Sequence, residues 1–202
     1  MFKQRFLNLI SNDFGIDGSD FLATSLPVHI NDSTTRLIKS VGDTVYRKAL
    51  AQRPQEASGV VKFDSFSVDV TIEDTSDYEV GDYVILEGNE NYNSIQYIIA
   101  VNSGTSLRIS SPYNAEWQGL ILRTQLRHDI ELAGAYFTAY DILPTLMQVS
   151  ENTSIVEGGS IGQGSWHLGD INKRKYYLNR ALEIVSSLTE TEDPNSLKFD
   201  LT

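Results

Sequence analysis

Apolar residues in this chain change their spacing twice, and that change limits the folds open to it more than any other feature. Near the N-terminus Phe2, Phe6, Leu9 and Ile10 recur at helical spacing. After Gly59 the period drops to two, with Val61, Phe63, Phe66, Val68, Val70 and Ile72 alternating with polar residues, as in strands buried on one face. Tyr83 to Leu86 follow, then Ile95, Tyr97, Ile99 and Val101, then Leu107 and Ile109. Turn residues at Thr75–Asp77, Gly88–Asn93 and Asn102–Gly104 divide them. After Arg123 helical spacing returns, with Leu126, Ile130, Ala133, Phe137, Tyr140, Leu143 and Met147 along one face. This order predicts an α+β protein in which a helical domain is interrupted by a small antiparallel β-barrel or sandwich domain.

The expected parts are an N-terminal helical part over residues 1–57, the inserted β-domain over 58–124, a C-terminal helical part over 125–190 with a glycine-rich loop at 157–164, and a loose tail over 191–202. The run Arg-Pro-Gln-Glu-Ala-Ser-Gly at 53–59 reads as the linker at the first boundary. Asn12 to Gly18 ends the first helix, and Pro27 leaves the following stretch irregular or extended. A second helix starts at Asp32 or Ser33, both good N-caps, and aligns Leu37, Ile38, Val41, Val45 and Ala49. Gly42 and the β-branched Val41, Thr44 and Val45 leave an extended form of Val41–Tyr46 open. Pro144 is expected to kink or end the later helix. Asp170 caps a last helix whose stripe is Ile171, Leu178, Ala181, Leu182, Val185 and Leu188.

Composition removes whole classes of function. The 202 residues include no cysteine, which excludes disulfides, thiolate metal sites and cysteine nucleophiles, and only three histidines. No apolar run approaches a membrane span, and MFKQRFLNLI lacks the apolar core of a secretory signal. The net charge is −11, against the usual balance of a nucleic-acid binder. It is uneven: residues 1–55 carry +2, residues 56–93 carry −9 with ten acids and one base, residues 94–169 carry −3 and residues 170–202 carry −1.

Nothing in the sequence assembles a catalytic or metal site. EGGSIGQGSWHLGD, 157–170, lacks the lysine of a P-loop and places Glu157 and Asp170 where phosphate would sit. Ser165, His167 and Asp170 are crowded into six positions without a nucleophile elbow. His128 and Asp129 diverge by about 100° on a helix. The acids at 73, 74, 77, 79 and 82 lack the spacing of a calcium loop. No catalytic residue, cofactor or metal is therefore expected. The basic cluster Lys173, Arg174 and Lys175, with Arg180, either meets DNA phosphate or, the favoured reading, solvates the polar face of its helix or pairs with the carboxylates of a neighbouring subunit.

Two segments resemble parts of known proteins. Tyr78, Gly81–Asp82, Val84–Leu86, Gly88 to Asn93, Tyr97–Val101 and Leu107–Ile109 form a pattern similar to a small β-module of tailed-bacteriophage structural proteins, with Ser94-Ile95 where that module usually has a glycine. RHDIELAGAYFTAYDILPTL, 127–146, followed by a polar loop and an amphipathic helix, resembles the helical core of phage head–tail connector (adaptor) proteins. The resemblance implies a non-enzymatic virion protein made in the host cytoplasm. It would form a homo-oligomeric ring, typically of twelve, between the portal protein and a downstream neck or tail protein, around the DNA channel. Alternatives are a tail-completion, neck or decoration protein of the same particle, or a β-module binding a peptide or glycan.

The residues fit a ring subunit on separate grounds. Tyr136, Phe137 and Tyr140 lie nearly all round one helix, which points to contacts on more than one side, unless all three pack within a monomer. The expected interface residues are Tyr136, Phe137, Tyr140, Ile161 and Trp166, with Lys173, Arg174 and Lys175 against a neighbour's carboxylates. The glycine loop and the tail are expected to order on assembly. Membrane binding and sequence-specific nucleic-acid binding are not expected.

Overall fold

A computed structural model describes residues 20–88, 94–111, 118–156 and 166–190. The elements in chain order are α1 (Asp20–Val41), α2 (Asp43–Ala51), β1 (Gln55–Ala57), β2 (Gly59–Lys62), β3 (Ser67–Thr71), β4 (Tyr83–Glu87), β5 (Gln96–Ser103), β6 (Ser106–Ser110), β7 (Leu120–Thr124), α3 (Gln125–Val156) and α4 (Trp166–Glu190). They divide into two compact units, one of residues 44–129 and one of residues 1–43 with 130–202. The first helix expected around Phe2–Ile10, the 157–164 loop and the 191–202 tail lie outside the described residues.

The β unit is a seven-stranded antiparallel sheet in the order β1-β7-β4-β5-β6-β3-β2. It is open, so the expected barrel is corrected: among the described residues β1 pairs only with β7 and β2 only with β3. Yet one residue, Ser58, separates these two edges. Seven flat strands at ~4.8 Å spacing would put the edges ~29 Å apart, whereas two residues of chain span at most ~7 Å. The sheet must therefore curl strongly. Strand β5 takes part of the bend, pairing with β4 through Gln96 and Tyr97, then with β6 from Ile98 on, with register shifts along the way. One apolar cluster fills the inner face and draws on every strand, including Ala57, Val60, Val70, Leu86, Ile98 and Leu122.

Inner and outer faces follow the expected phase on β3, where Val68, Val70 and Ile72 are buried. They do not on β5. Gln96 and Ile98 point inward, and Ile95, Tyr97, Ile99 and Val101 are exposed. On β2 the inward residue is Val60, while Val61 and Phe63 are exposed, and Phe66 in the β2–β3 turn is 78% exposed. Alternation shows which residues share a face, not which face meets the core, when both faces of a strand are apolar.

The α2 helix is tied to the unit through its C-terminal end. Arg127 Nη1 donates to the carbonyls of Ala49 and Leu50 at 3.3 and 3.1 Å, satisfying acceptors that the end of a helix leaves unpaired. Lys48 and Gln52 reach the Asp82 carboxylate at 2.9 and 2.8 Å. That carboxylate also accepts from the Glu79 backbone N–H, closing the turn in which Gly81 adopts φ +96°.

In the helical unit Pro27 lies inside α1, so the stretch expected to be irregular is helical. A proline removes one backbone donor, and apolar packing on both sides outweighs it: Leu26 is buried and Ile30 packs on the same core. Ser33 is correspondingly no cap but a buried mid-helix residue. Pro144 likewise does not end α3, which runs to Val156. Leu26, Ala135, Ala139, Ile142 and Tyr177 form the core of this unit. The alanines four apart on α3 leave room for the Tyr177 ring, whose burial contributes about 1.5–3 kcal/mol, as for a large apolar side chain.

The chain does not become extended at 41–46. Gly42, at φ +88°, donates to the Ile38 carbonyl at 2.9 Å and ends α1, and α2 begins at Asp43. A Cβ at Gly42 would meet nothing within 4 Å, so the cost of replacing it is purely that of the backbone. Gly42→Ala is expected to lower stability by about 1–2 kcal/mol. Gly59→Ala, where φ is not positive and space is also open, serves as the control and is expected to change it by much less. Urea unfolding followed by circular dichroism measures both.

Candidate functional site

The residues singled out from sequence fall on the helical unit, and the structure gives most of them partners within the chain. Phe137 is completely buried, so it offers no surface to a neighbour, which corrects its placement at an interface. The Tyr136 ring stacks on Tyr177 at 6.1 Å and meets Tyr176 edge-on at 6.4 Å. Burial pushes the Tyr136 hydroxyl above its ordinary pKa. Two guanidinium groups lie over the Tyr140 ring, Arg174 at 4.4 Å and Arg36 at 5.3 Å. Arg174 also donates through Nε to the Tyr140 carbonyl at 3.3 Å.

Asp141, Arg36 and Ser33 hold this cluster, a role that sequence reasoning gave to none of them. Asp141 Oδ1 pairs with Arg36 at 3.0 Å, and Asp141 Oδ2 accepts from the Ser33 hydroxyl at 3.1 Å. The carboxylate is only 13% exposed, so it holds Arg36 where the guanidinium can cover Phe137 and Tyr140. Ser33 and Arg36 share a helix face at i,i+3, but they stand more than a hundred residues from Asp141, and no local pattern links them.

The basic cluster is divided by its surroundings. Arg174 turns toward Tyr140, while Lys173 and Lys175 are exposed on α4 beside Tyr176, which is half exposed. Ile161 lies outside the described residues, as do the side chains of Trp166, Ser165, His167 and Asp170. Asp129 accepts a hydrogen bond from Gln125 Nε2 at 2.7 Å, one turn earlier on the same helix. Among the described residues no three His, Asp or Glu side chains gather as a metal set, and no helix is long and apolar enough to cross a membrane.

The β unit has a second surface with functional chemistry, its outer face. Tyr83 stands opposite Tyr97 across β4 and β5, and both are exposed. Further round, Arg108 bridges to Asp69 through two nitrogens at 2.8 and 3.1 Å and lies over the Phe63 ring. Asn102 donates to the same carboxylate at 3.1 Å. The acidic loop between β3 and β4 exposes Glu73, Asp74, Asp77 and Glu79.

Asp64, Asp69, Asp74 and Glu79 are stabilised as anions. The Arg108 hydrogen bond holds Asp69 below the ordinary carboxylate range, and the Lys48 ammonium does the same for Glu79. Backbone N–H groups of Phe66 and Ser76 lower Asp64 and Asp74. Burial lowers the Lys48 pKa, but its bonds to Glu79 and Asp82 outweigh that and leave it raised. Burial pushes Tyr78 up to about 12, with its hydroxyl donating to the Arg53 carbonyl at 3.0 Å.

A lowered carboxylate strengthens the fold at neutral pH and loses that contribution as pH falls through the lowered value. The β unit is therefore expected to lose stability as pH drops below about 4. Raised Lys48 acts on the other limb, with its contribution fading as alkaline pH passes its ordinary value. Urea unfolding across this range is expected to show a shallower acid slope for Asp69→Asn, and an unchanged slope would contradict the assignment to Asp69.

No protein-family model, curated protein or solved structure matches the chain.

Proposed function

We propose that the chain is a non-enzymatic structural subunit of a tailed-phage virion, a head–tail connector (adaptor) whose helical part is interrupted by the β unit. It assembles as a ring between portal and tail, around the DNA channel. The observation that carries the reading is the apolar outer face of the β unit. Val80, Tyr83, Ile95, Tyr97 and Ile99 are all exposed, on the side of the sheet opposite its core or on the loop beside it. A contiguous apolar patch of this kind marks a protein contact more often than a catalytic cleft. The two segments that resemble phage proteins support the same reading. One spans the loop and strands β4 to β6, and the other lies within α3. The clustered acids of the β unit give either a channel wall that leaves DNA free to slide or an outer surface that keeps rings soluble.

Mass photometry and negative-stain imaging of the purified chain, with and without the portal protein of its phage, test the proposal. Rings, or portal-dependent assembly, are expected. A strict monomer that ignores its portal overturns it. DNA gives an independent check. With Arg174 held at Tyr140, Lys173, Lys175 and Arg180 of the cluster are exposed, and Arg180 is paired with Glu183, which leaves a small patch to meet phosphate. Fluorescence anisotropy at ~0.15 M salt is expected to show weak, nonspecific duplex binding. Submicromolar, sequence-selective binding contradicts the structural role.

A further inference from the structure

The outer face of the sheet has a band around β5 that the fold of the β unit does not cover. Ile95 and Ile99 flank Tyr97 two residues away on the same face, and Tyr83 lies across from it. The loop before β4 runs alongside, with the Gly81 N–H donating to the Ile98 carbonyl at 2.8 Å and the Ile98 N–H to the Asp82 carbonyl at 2.9 Å. Val80 therefore extends the same band. Exposure runs from 65% at Val80 to 40% at Ile99. Five such side chains leave on the order of 500 Å² in water, within the ~300–600 Å² of the largest patch on a typical monomer, which is often functional. The border is acidic, with Asp77 and Glu79 exposed on the loop that carries Val80; Lys48 pairs with Glu79 at 2.7 Å and with Asp82 at 2.9 Å, so the three carboxylates still outnumber that one cation.

The opposite chemistry stands on α4 of the same chain. Lys173, Tyr176 and Arg180 follow one another at i, i+3 and i+7 on its exposed face, with Lys175 beside them. Tyr176 is half exposed, an aromatic surrounded by cations. Arg180 pairs with Glu183 at 2.7 Å, and Lys173 and Lys175 are exposed on the same helix.

We infer that the β5 band of one copy takes the α4 face of a second copy, with the band covering Tyr176 and the acidic border meeting Lys173 and Lys175. Charge complementarity selects this occupant. Two copies of the band placed face to face would oppose acid to acid, so a twofold contact of the band with itself is disfavoured. Together with its charged border the patch approaches the ~800 Å² per partner of a standard interface. Because the two surfaces differ, the contact is head-to-tail, and such contacts close into rings or run on as filaments. This deepens the connector reading and rests on it for ring closure, though the contact itself is argued from the two surfaces.

Sedimentation velocity of the full chain over a concentration series, at ~0.05 and ~0.5 M salt, tests the contact. Self-association is expected, weaker at the higher salt. Lys173→Glu with Lys175→Glu should raise the dissociation constant about tenfold or more, and so should Asp77→Lys with Glu79→Lys. The four changes together should restore it to within about threefold of the original. Tyr97→Ser, an outward residue that leaves the Lys48 contacts intact, should weaken association without altering charge, with circular dichroism reporting the fold of each variant. Association that no substitution affects, failure of the fourfold variant to recover, or a monomer at every concentration overturns the inference. Oligomers that obey the charge swap but ignore portal leave the contact standing and remove the connector reading. Rings that bind portal yet ignore every substitution do the reverse.

Discussion

The β unit depends on a constraint set by Ser58, the one residue between the two edge strands of a seven-stranded sheet. No flat sheet satisfies it, because the edges of seven strands stand far beyond the reach of two peptide units. Curling brings the inner faces of all strands onto one core, which explains why a single cluster contains buried residues from β1 through β7. It also places the cost of bending on β5, the strand that changes partners and carries the register shifts. The sheet stays open where β1 meets β2, since the single residue between them is too short for a hairpin turn and the two strands run end to end.

The curl has a consequence for the outside. A strand at the bend shows its convex face to solvent, and on β5 that face is the more apolar of the two. Inward, Ile98 is fully buried and Gln96 nearly so, while Tyr97 and Ile99 face out. A glutamine inside and tyrosine and isoleucine outside invert the arrangement that a free-standing domain favours. The inversion is understandable if the outer side is covered by another protein, and it is this that supports the proposed assembly role.

In the helical unit the organising contact is ionic. Asp141 draws Arg36 and Ser33 of α1 to α3, and Arg36 with Arg174 of α4 covers Tyr140. Aromatic residues that looked suited to a neighbour's surface are thus largely occupied at home. Their wide distribution around α3 was legible in the sequence, and so was the need for partners on more than one side. That those partners were α1 and α4 of the same chain was not, because helical spacing gives the angle at which a side chain leaves its helix and says nothing of what lies there.

By itself the sequence determined the α+β class, the change from helical to alternating period near Gly59, the Gly-Asp turn at Gly81, and the return to helix after Arg123. These are local properties, set by backbone preference and by apolar periodicity over a few residues. Only the tertiary structure decided which face of β5 is inside, that Pro27 and Pro144 lie within helices, and that Asp141 meets Arg36. Each of these turns on energies that come from residues distant in sequence. Packing of Leu26 and Ile30 outweighs the single hydrogen bond that Pro27 gives up. The partner strands of β5 decide which of its two faces turns inward, against the pattern that its own residues suggest.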